Sequence, residues 1–332
     1  MSDAAARVLV ADIGGTHARF ALADPAASMP LDRDSIRDYR VADFSGCGEA
    51  ARRYLDDAGV HPATGVFAVA GPVAGNAVRF TNSPWVIEGE AVAAQLGFAS
   101  LRLINDFTAM SRALPLLAES DLRAIGAPQR VRFTAAAEQT FAVVGAGTGL
   151  GVGALLLRDG HVDVLHTEGG HMSFAPNGRE QIDLLERLAG RFGHVSNERL
   201  LSGGGLVNLY TALAEIAGVE PEALAPEDVT GRATAKTHPD PLCVQALTIF
   251  SEVLGAVAGD LVLGFGAWDG VYLTGGLTPL LLPWFERGGL RQCFEAKGRF
   301  AERMRQVPLS AVLDTDAGLL GAAACATQAE RG

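Results

Sequence analysis

The stretch Val8–Asp24 reads VLVADIGGTHARFALAD, and it decides the first element of the fold. An apolar run is followed by two glycines and a threonine, and a second apolar run then begins. Two apolar runs separated by a short glycine turn are typical of a β-hairpin, so we predict strands over Val8–Ile13 and Ala18–Ala23. The end of the first strand carries an acid, Asp12, where a plain core strand would carry an apolar residue.

The composition is that of a soluble globular protein. The chain has 332 residues, 48% of them hydrophobic and 20% charged, which is enough for two domains or one large one. The formal net charge of −11 argues against a general nucleic-acid binder, which needs a basic face. An anionic substrate would therefore have to be held locally, by backbone amides, a metal ion or a few placed cations.

Cysteine usage and the apolar stretches predict a cytoplasmic protein. The cysteines lie far apart and form no CxxC pair, which favours reduced thiols and no zinc site. The first apolar run meets Asp12 too early to be a signal peptide. The most apolar stretch, Leu242–Trp268, contains charged residues and is predicted to be a buried helix, not a membrane span. The cysteines are Cys47, Cys243, Cys293 and Cys325.

A second strand–glycine turn–strand pattern occurs in the middle of the chain. We predict a strand over Phe141–Val144, a glycine turn, and then a hairpin formed by Val152–Leu157 and Val162–Leu165. The first third alternates strands and helices, including a strand that runs into a helix within Ser100–Leu114. This repetition predicts two similar α/β domains.

Three glycine clusters close three predicted strands. Glycine tolerates positive φ and allows close approach, and successive amides in such turns form anion-binding nests. A turn that merely connects strands remains the alternative for each cluster. No lysine follows the glycines as a Walker A loop requires, and the Gly149–Ala154 segment leads into a hairpin where a Rossmann fingerprint would open a helix. The clusters are Gly14-Gly15-Thr16, Gly145-Ala146-Gly147-Thr148-Gly149 and Gly275-Gly276.

Two aspartates are candidates for catalysis. A carboxylate such as Asp12 beside a phosphate-binding turn would repel phosphate unless Mg²⁺ lies between them, whereas capping of the turn is the structural alternative. Asp106, in LINDF, stands where a strand meets a helix. It could accept a proton from a hydroxyl that attacks a phosphoryl group, although an Asn-Asp pair at such a junction is often a helix N-cap.

Polar residues around other glycines are candidates for binding a small polar ligand. Glu168 and His171 flank a glycine pair in HTEGGHMSF, where both could meet sugar hydroxyls. The spacing of His166 and His171 is a poor metal-binding pattern. Glu198, in GHVSNERLLSGGG, could also bind a ligand or simply stabilise the start of a helix.

Nine motifs occur in order along nearly the whole chain. They are D-I-G-G-T-H-A-R (Asp12–Arg19), T-N-S-P-W (Thr81–Trp85), I-N-D-F-T-A (Ile104–Ala109), G-A-G-T-G-L-G (Gly145–Gly151), E-G-G-H (Glu168–His171), F-A-P (Phe174–Pro176), G-H-V-S-N-E-R-L-L-S-G (Gly193–Gly203), L-V-N-L-Y (Leu206–Tyr210) and K-G-R-F (Lys297–Phe300). As an ordered set, these motifs resemble the bacterial ATP-dependent glucokinase family of the hexokinase–actin–ribonuclease H-like superfamily.

The resemblance implies two ribonuclease H-like (actin-like ATPase) α/β domains with an interdomain cleft. Residues 1–116 plus 314–332 would form the small domain and residues 117–313 the large one. The implied reaction is phosphoryl transfer from MgATP to the 6-hydroxyl of glucose, giving glucose 6-phosphate and ADP, with Asp106 as general base. The implied sugar ligands are Asn105, Glu168, His171 and Glu198. The implied nucleotide ligands are Asp12, which would reach Mg²⁺ through water, together with Gly14, Gly15, Thr16, Gly145, Gly147, Thr148, Gly275 and Gly276.

The resemblance also implies partners. Glucose and ATP would be the small-molecule partners, and a homodimer the assembly. The net negative charge and the charged residues in the apolar stretch predict neither nucleic acid nor a membrane as a partner. The zinc motif C-x-C-G-x2-G-C of a related kinase and repressor family is missing from this sequence. His17 replaces the asparagine of the family pattern G-G-T-N, and it could keep that hydrogen-bonding role or perturb the turn. A kinase for another hexose and a sugar-binding regulator without turnover remain alternatives.

Overall fold

The structure, a computed structural model, describes residues 7–80, 84–134 and 137–327. Residues 81–83 of the T-N-S-P-W motif lie outside this description. The chain forms two compact units: the N-terminal unit comprises Met1–Ala118 and Asp314–Gly332, and the middle unit comprises Glu119–Leu313.

The N-terminal unit begins with the predicted hairpin and continues as alternating strands and helices. The strands are β1 (Val8–Ile13), β2 (His17–Ala23), β3 (Leu31–Arg40), β4 (Thr64–Val69), β5 (Ala77–Arg79), β6 (Val86–Glu88) and β7 (Ser100–Asn105). The helices are α1 (Cys47–Ala58), α2 (Gly89–Leu96) and α3 (Asp106–Ala113), with 3₁₀ turns at Val41–Asp43 and Leu114–Leu116.

The main sheet of this unit has the order β3-β2-β1-β4-β7, antiparallel between the first three strands and parallel between the last three. Successive side chains of a strand point to opposite faces. Leu9, Ala11 and Ile13 therefore enter the core together with Tyr54 of α1, and Asp12 lies on the other face of β1.

The middle unit is built from a second sheet and seven helices among its described residues. Its strands are β8 (Leu122–Ala124), β9 (Gln139–Ala146), β10 (Leu150–Arg158), β11 (His161–Thr167), β12 (Gly270–Thr274) and β13 (Leu309–Val312). Its helices are α4 (Gly178–Phe192), α5 (Gly203–Ile216), α6 (Pro226–Ala233), α7 (Pro241–Phe265), α8 (Leu277–Phe285), α9 (Gly289–Glu295) and α10 (Ala301–Met304). Its 3₁₀ turns are Glu119–Asp121, Gly169–His171, Asn197–Arg199 and Gly298–Phe300.

The second sheet repeats the topology of the first. Its order is β11-β10-β9-β12-β13-β8, again with two antiparallel pairings followed by two parallel ones, and with β8 added at the edge. The prediction of two similar α/β units is confirmed. The predicted strand Phe141–Val144 was too short, because β9 and β10 stay paired up to Ala146 and Leu150 and leave only three residues for the turn.

Helix α7 is long and apolar enough to cross a membrane by length and composition, with a mean hydropathy of 1.7 over its most apolar 18-residue window. In this structure 78% of that window is buried inside the protein. Its side chains pack on α5, α6 and α9. The helix therefore serves as the core helix of the middle unit.

The last described element, α11 (Ala317–Thr327), belongs to the N-terminal unit. It packs on α3, β1 and β4. Small residues allow this close packing, because a Cβ at Gly321 would stand 1.6 Å from the carbonyl oxygen of Ala109 in α3. The end of the chain thereby supports the strand and the helix that carry Asp12 and Asp106.

Candidate active site

Asp12 lies at the end of β1, directly opposite Arg19 of β2 in the hairpin register. Nη2 of Arg19 donates to Oδ2 of Asp12 over 2.6 Å, and its Nη1 donates to Oδ1 of Asp316 over 3.1 Å. About a quarter or less of each of these three side chains is exposed. The carboxylate of Asp12 is thus bound by the guanidinium of Arg19. We did not predict this ion pair from the sequence.

Arg19 was missed although the sequence contains a signal for it. Once strands are predicted over Val8–Ile13 and Ala18–Ala23, counting outward from the four residues between them pairs residue 12 with residue 19. Opposite charges directly across an antiparallel pair attract. Burial lowers the pKa of Arg19, but Asp12, Asp316 and Asp38 outweigh burial and raise that pKa above its usual value. The guanidinium is therefore a permanent charge beside Asp12.

The first glycine turn differs in detail from our expectation. The amide of Gly14 donates to the carbonyl oxygen of His17 over 2.9 Å, and φ of Gly14 lies outside the left-handed region. A Cβ on Gly14 would touch nothing closer than 3.8 Å. The protein itself therefore leaves space above this turn. Nδ1 of His17 is 2.9 Å from Oδ1 of Asp38 in β3.

Asn105 and Asp106 form the junction between β7 and α3. Oδ1 of Asn105 accepts hydrogen bonds from the amides of Phe107 and Thr108, so Asn105 is the N-cap of α3. Its Nδ2 donates to the carbonyl oxygen of Gly71 over 3.0 Å. Of the Asn-Asp pair, Asn105 is therefore the helix N-cap that the sequence analysis gave as the alternative. Asp106 is the first residue of α3.

Asp106 is a half-buried carboxylate with a perturbed pKa. Burial raises its pKa, and the negative charge of Asp12 raises it further, to about 6 from the ordinary 3.8. The hydrogen bond from the amide of Phe107, 2.8 Å long, opposes this shift without cancelling it. A carboxylate with such a pKa is ionised near neutral pH and is a stronger base than an ordinary aspartate.

The second and third glycine turns adjoin within the middle unit. The amide of Gly147 donates to the carbonyl oxygen of Gly149, and its carbonyl oxygen accepts from Gly203 at the start of α5. Gly275 has a φ of 86°, which favours glycine, and a Cβ there would stand 2.3 Å from the carbonyl oxygen of Ala146. By contrast, a Cβ on Gly147 would approach nothing closer than 3.9 Å, the amide of Gly276. Free space is thus found at Gly147, whereas Gly275 is packed against the second turn.

Glu168 directly precedes the 3₁₀ turn Gly169–His171, and its side chain lies close to that of His171, the last residue of the turn. Oε2 of Glu168 is 3.8 Å from Nε2 of His171, and their side chains are 86% and 61% exposed. Met172 and Phe174, just beyond this turn, are hydrogen-bonded through the backbone to Asn197 and Val195. Backbone hydrogen bonds therefore join the residues after the turn Gly169–His171 to the segment that carries Glu198.

Glu198 lies in the 3₁₀ turn Asn197–Arg199, not in the first turn of an α-helix as we considered. Its Oε2 accepts a hydrogen bond from the backbone amide of Leu150 over 2.9 Å. Leu150 directly follows the second glycine turn, and its carbonyl oxygen lies against Gly170. The backbone of Leu150 thus joins the expected sugar residues to the expected phosphate turn, a link that no local sequence pattern indicates.

Replacing Gly170 with alanine tests this link. The new Cβ would stand 2.1 Å from the carbonyl oxygen of Leu150, which is backbone and cannot rotate away. We expect the KM for glucose to rise at least about tenfold and the protein to lose roughly 1–3 kcal/mol of stability, as overpacked sites do. Steady-state kinetics and thermal unfolding measure both.

The control for this variant is Gly231→Ala in α6, where no atom lies within 4 Å of the added Cβ. It should leave the KM for glucose unchanged. An unaltered KM in Gly170→Ala would contradict the importance of the Leu150 contact.

The structure thus groups the candidate residues within each unit. In the N-terminal unit it brings Asp12 close enough to Asp106 to affect its pKa, beside the helix cap Asn105. In the middle unit it brings Glu168 and His171 to the segment of Glu198, which bonds to the strand that follows the second glycine turn.

Comparison with known proteins decides the family. The glucokinase family model matches residues 9–329. The chain belongs to the glucokinase family. The glucokinase of Stenotrophomonas maltophilia (strain R551-3) is 53% identical over 331 residues, covering 100% of this chain and 98% of the relative. The glucokinase of Xanthomonas oryzae pv. oryzae (strain MAFF 311018) is 52% identical over 324 residues, with 98% and 96% covered.

A solved structure supports the same assignment. The crystal structure of a glucokinase from an Antarctic psychrotroph is similar with a TM-score of 0.83 and 33% identity, covering 96% of this chain and 98% of that one. Like the relatives in this family, the chain is an ATP-dependent glucokinase that phosphorylates glucose. The actin-like ATPase fold implied by the resemblance is confirmed.

Proposed function

We propose that Asp106 is the general base of the glucokinase reaction. The observation that carries this proposal is the raised pKa of Asp106, about 6, in a half-buried carboxylate at the start of α3. A general base works best when its pKa lies just below the working pH, because it is then ionised and still accepts a proton readily.

The proposed step is balanced without any further reactant. The 6-oxygen of glucose forms a bond to the γ-phosphorus of ATP while the bond from that phosphorus to the β,γ-bridging oxygen breaks. The hydroxyl proton passes to the carboxylate of Asp106, and ADP leaves with the electron pair of the broken bond. Orientation of the hydroxyl and charge stabilisation supply most of the acceleration in such transfers.

We propose Glu168, His171 and Glu198 as ligands of sugar hydroxyls. Carboxylates accept hydrogen bonds from hydroxyls, and an imidazole can donate or accept. The proximity of Glu168 and His171, and their large exposure, support this role. Asn105 is a weaker candidate on this geometry, because its oxygen caps α3, which leaves its amide nitrogen as the donor to a sugar.

We propose that the first two glycine turns hold the phosphates of ATP and that the third, Gly275-Gly276, lies under the adenosine. The space above Gly14, Gly147 and Gly276 supports these roles, because no atom beyond the adjacent residues lies closer than 3.8 Å to a Cβ at these positions. Backbone amides in such turns bind phosphate oxygens directly. Close approach of a ligand to the backbone would explain why glycine occurs at Gly14, Gly147 and Gly276, where neither a positive φ nor packing within the protein requires it. Gly15, Thr16, Gly145, Thr148 and Gly275 complete the proposed nucleotide set.

Asp12 fits a position beside a Mg²⁺ ion whose other ligands are phosphate oxygens and water. Among residues 7–80, 84–134 and 137–327, no group of three or more His, Cys, Asp or Glu side chains could hold a metal ion alone. Mg²⁺ typically keeps several waters and takes one or two carboxylates together with phosphate oxygens, so a single held carboxylate suits it. When bound, the ion neutralises charge on the phosphates.

We also infer a homodimer in the cytoplasm, as the family resemblance implies. Light scattering coupled to gel filtration tests the dimer, and fractionation of cells tests the location. A monomer at micromolar concentration would contradict the first inference.

The experiment that tests the proposed function measures ADP release from ATP with a panel of hexoses, with Mg²⁺ and with excess chelator. We expect turnover with glucose and Mg²⁺, much less with fructose or mannose, and a fall to background when divalent cations are removed. Full activity in the chelator would contradict the role of Mg²⁺, and equal turnover with every hexose would contradict selective binding by Glu168, His171 and Glu198.

A further inference from the structure

We propose that Arg19 is a positioning residue that fixes the carboxylate of Asp12 for nucleotide binding, by joining it to Asp316 at the start of α11. The inference rests on the proposed role of Asp12. Arg19 would thus join the site, and α11 would have a part in the reaction.

The geometry of Arg19 carries the first step. Its two terminal nitrogens bind two different carboxylates, Asp12 at 2.6 Å and Asp316 at 3.1 Å. A guanidinium is planar and its donors are fixed relative to one another, so binding at one end sets the direction of the other. The guanidinium of Arg19 donates to Oδ2 of Asp12, and this hydrogen bond orients the whole carboxylate.

The packing of α11 carries the second step. Gly318, in the first turn of α11, lies against the carboxylate of Asp12, since a Cβ there would stand 2.7 Å from Oδ2. Asp316, directly before α11, is bound by Arg19 and also by Arg33 at 3.1 Å. Oδ2 of Asp12 therefore lies close both to Arg19 and to the backbone of α11 at Gly318.

The position of Asp12 thus depends on the end of the chain. Residues 19 and 316 are separated by 297 positions, and their ion pair joins strand β2 to α11 within the N-terminal unit. Small displacements of a binding group cost large factors in rate, because reacting groups must be aligned closely. We therefore expect loss of Arg19 to impair nucleotide handling more than sugar binding.

The test is a double-mutant cycle of Arg19→Gln and Asp12→Asn with two readouts, kcat and the affinity for MgADP by calorimetry. We expect each single variant to lose at least tenfold in kcat and fivefold in MgADP affinity, while glucose binding without nucleotide stays within twofold. The double variant should be no worse than Asp12→Asn alone, since residues that act through one another are not additive. Arg19→Lys should recover part of the MgADP affinity.

The control is Arg7→Gln. Arg7 forms an ion pair with Asp32 of β3, with 3.3 Å between Nη1 and Oδ2, in the same unit as Arg19. This variant removes one arginine charge and one ion pair from that unit but leaves the ion pairs of Asp316 in place, so we expect kcat and MgADP affinity to stay within twofold of the native protein. If Arg7→Gln loses as much kcat as Arg19→Gln, or if the two losses in the cycle multiply, the inference is overturned and Arg19 is only structural.

The cycle also separates this inference from the role of Asp12 itself. Normal turnover in Asp12→Asn would overturn both together. A defective Asp12→Asn beside a normal Arg19→Gln would overturn the positioning role alone and leave the proposed role of Asp12 intact.

Discussion

Asp106→Asn is expected to lower kcat by roughly 10²–10⁴-fold, the usual range for loss of a general base. Asparagine keeps the shape and a hydrogen-bonding oxygen, but it cannot accept the proton of the sugar hydroxyl. Glucose affinity, measured by calorimetry without nucleotide, should therefore remain within a few fold. Asp34→Asn, an exposed aspartate of β3, provides a control for the loss of one negative charge.

The same carboxylate should dominate the acid limb of the pH profile. Because the pKa of Asp106 is raised to about 6, the base is lost as pH falls through that value. We expect kcat/KM for glucose to level off above neutral pH and to fall about tenfold for each unit below pH 6. A profile that stays flat down to pH 5 would contradict the assignment.

Asp106→Asn should also make the folded protein more stable at neutral pH. The pKa of Asp106 is raised from 3.8 in the ordinary state to about 6 in the fold, so the folded protein holds this proton more tightly than the unfolded chain does. The free energy of unfolding therefore falls as pH rises between these two values. The neutral amide removes that loss, and a higher unfolding midpoint at pH 7.5 in the variant measures the gain. A lower midpoint would falsify this explanation.

Gly321→Ala is expected to have the largest effect on stability. The added methyl group would stand 1.6 Å from the carbonyl oxygen of Ala109 and 2.3 Å from its carbonyl carbon. Because both contacts are backbone, α11 and α3 must separate or bend. We expect a loss of about 3 kcal/mol, at the upper end for overpacked sites. The unfolding midpoint should then fall by roughly 6–12 °C.

This substitution should also reduce activity, because α3 begins at Asp106 only one turn before Ala109. The matched control is Gly190→Ala on the exposed side of α4, where no atom lies within 4 Å of the added Cβ. There the methyl group should stabilise the helix by about 0.5–1 kcal/mol. Equal midpoints for Gly321→Ala and the native protein would show that α11 does not pack on α3 as described.

Much of the architecture follows from short-range patterns in the sequence. The hairpin at Val8–Ala23 and the strand-to-helix junction at Asn105 depend on neighbouring residues, whose backbone preferences and hydrogen bonds act over a few positions. The repeat of a strand–glycine turn–strand pattern likewise predicted two similar units. Nine ordered motifs, through their resemblance to a family, were needed to add the reaction and the candidate residues.

The glycines show where local reasoning is incomplete. A glycine in a turn suggests positive φ, and Gly275 has it, but Gly14 and Gly147 do not. At Gly170 and Gly321 the reason for glycine is the carbonyl oxygen of a distant residue, which no local pattern shows. Whether a side chain fits at a position depends on residues that the fold brings close to it. Whether glycine is needed for a positive φ depends on the local backbone at that position.

By itself, the sequence determined the strands, the turns and the residue types that chemistry needs, because these depend on interactions between near neighbours. Only the tertiary structure decided how those residues are held. The fork of Arg19 reaches Asp316 across 297 positions, and Glu198 binds the amide of Leu150 across 48. Burial and the charge of Asp12 together set the pKa of Asp106. Such contacts depend on how distant segments pack, which neither composition nor spacing along the chain specifies.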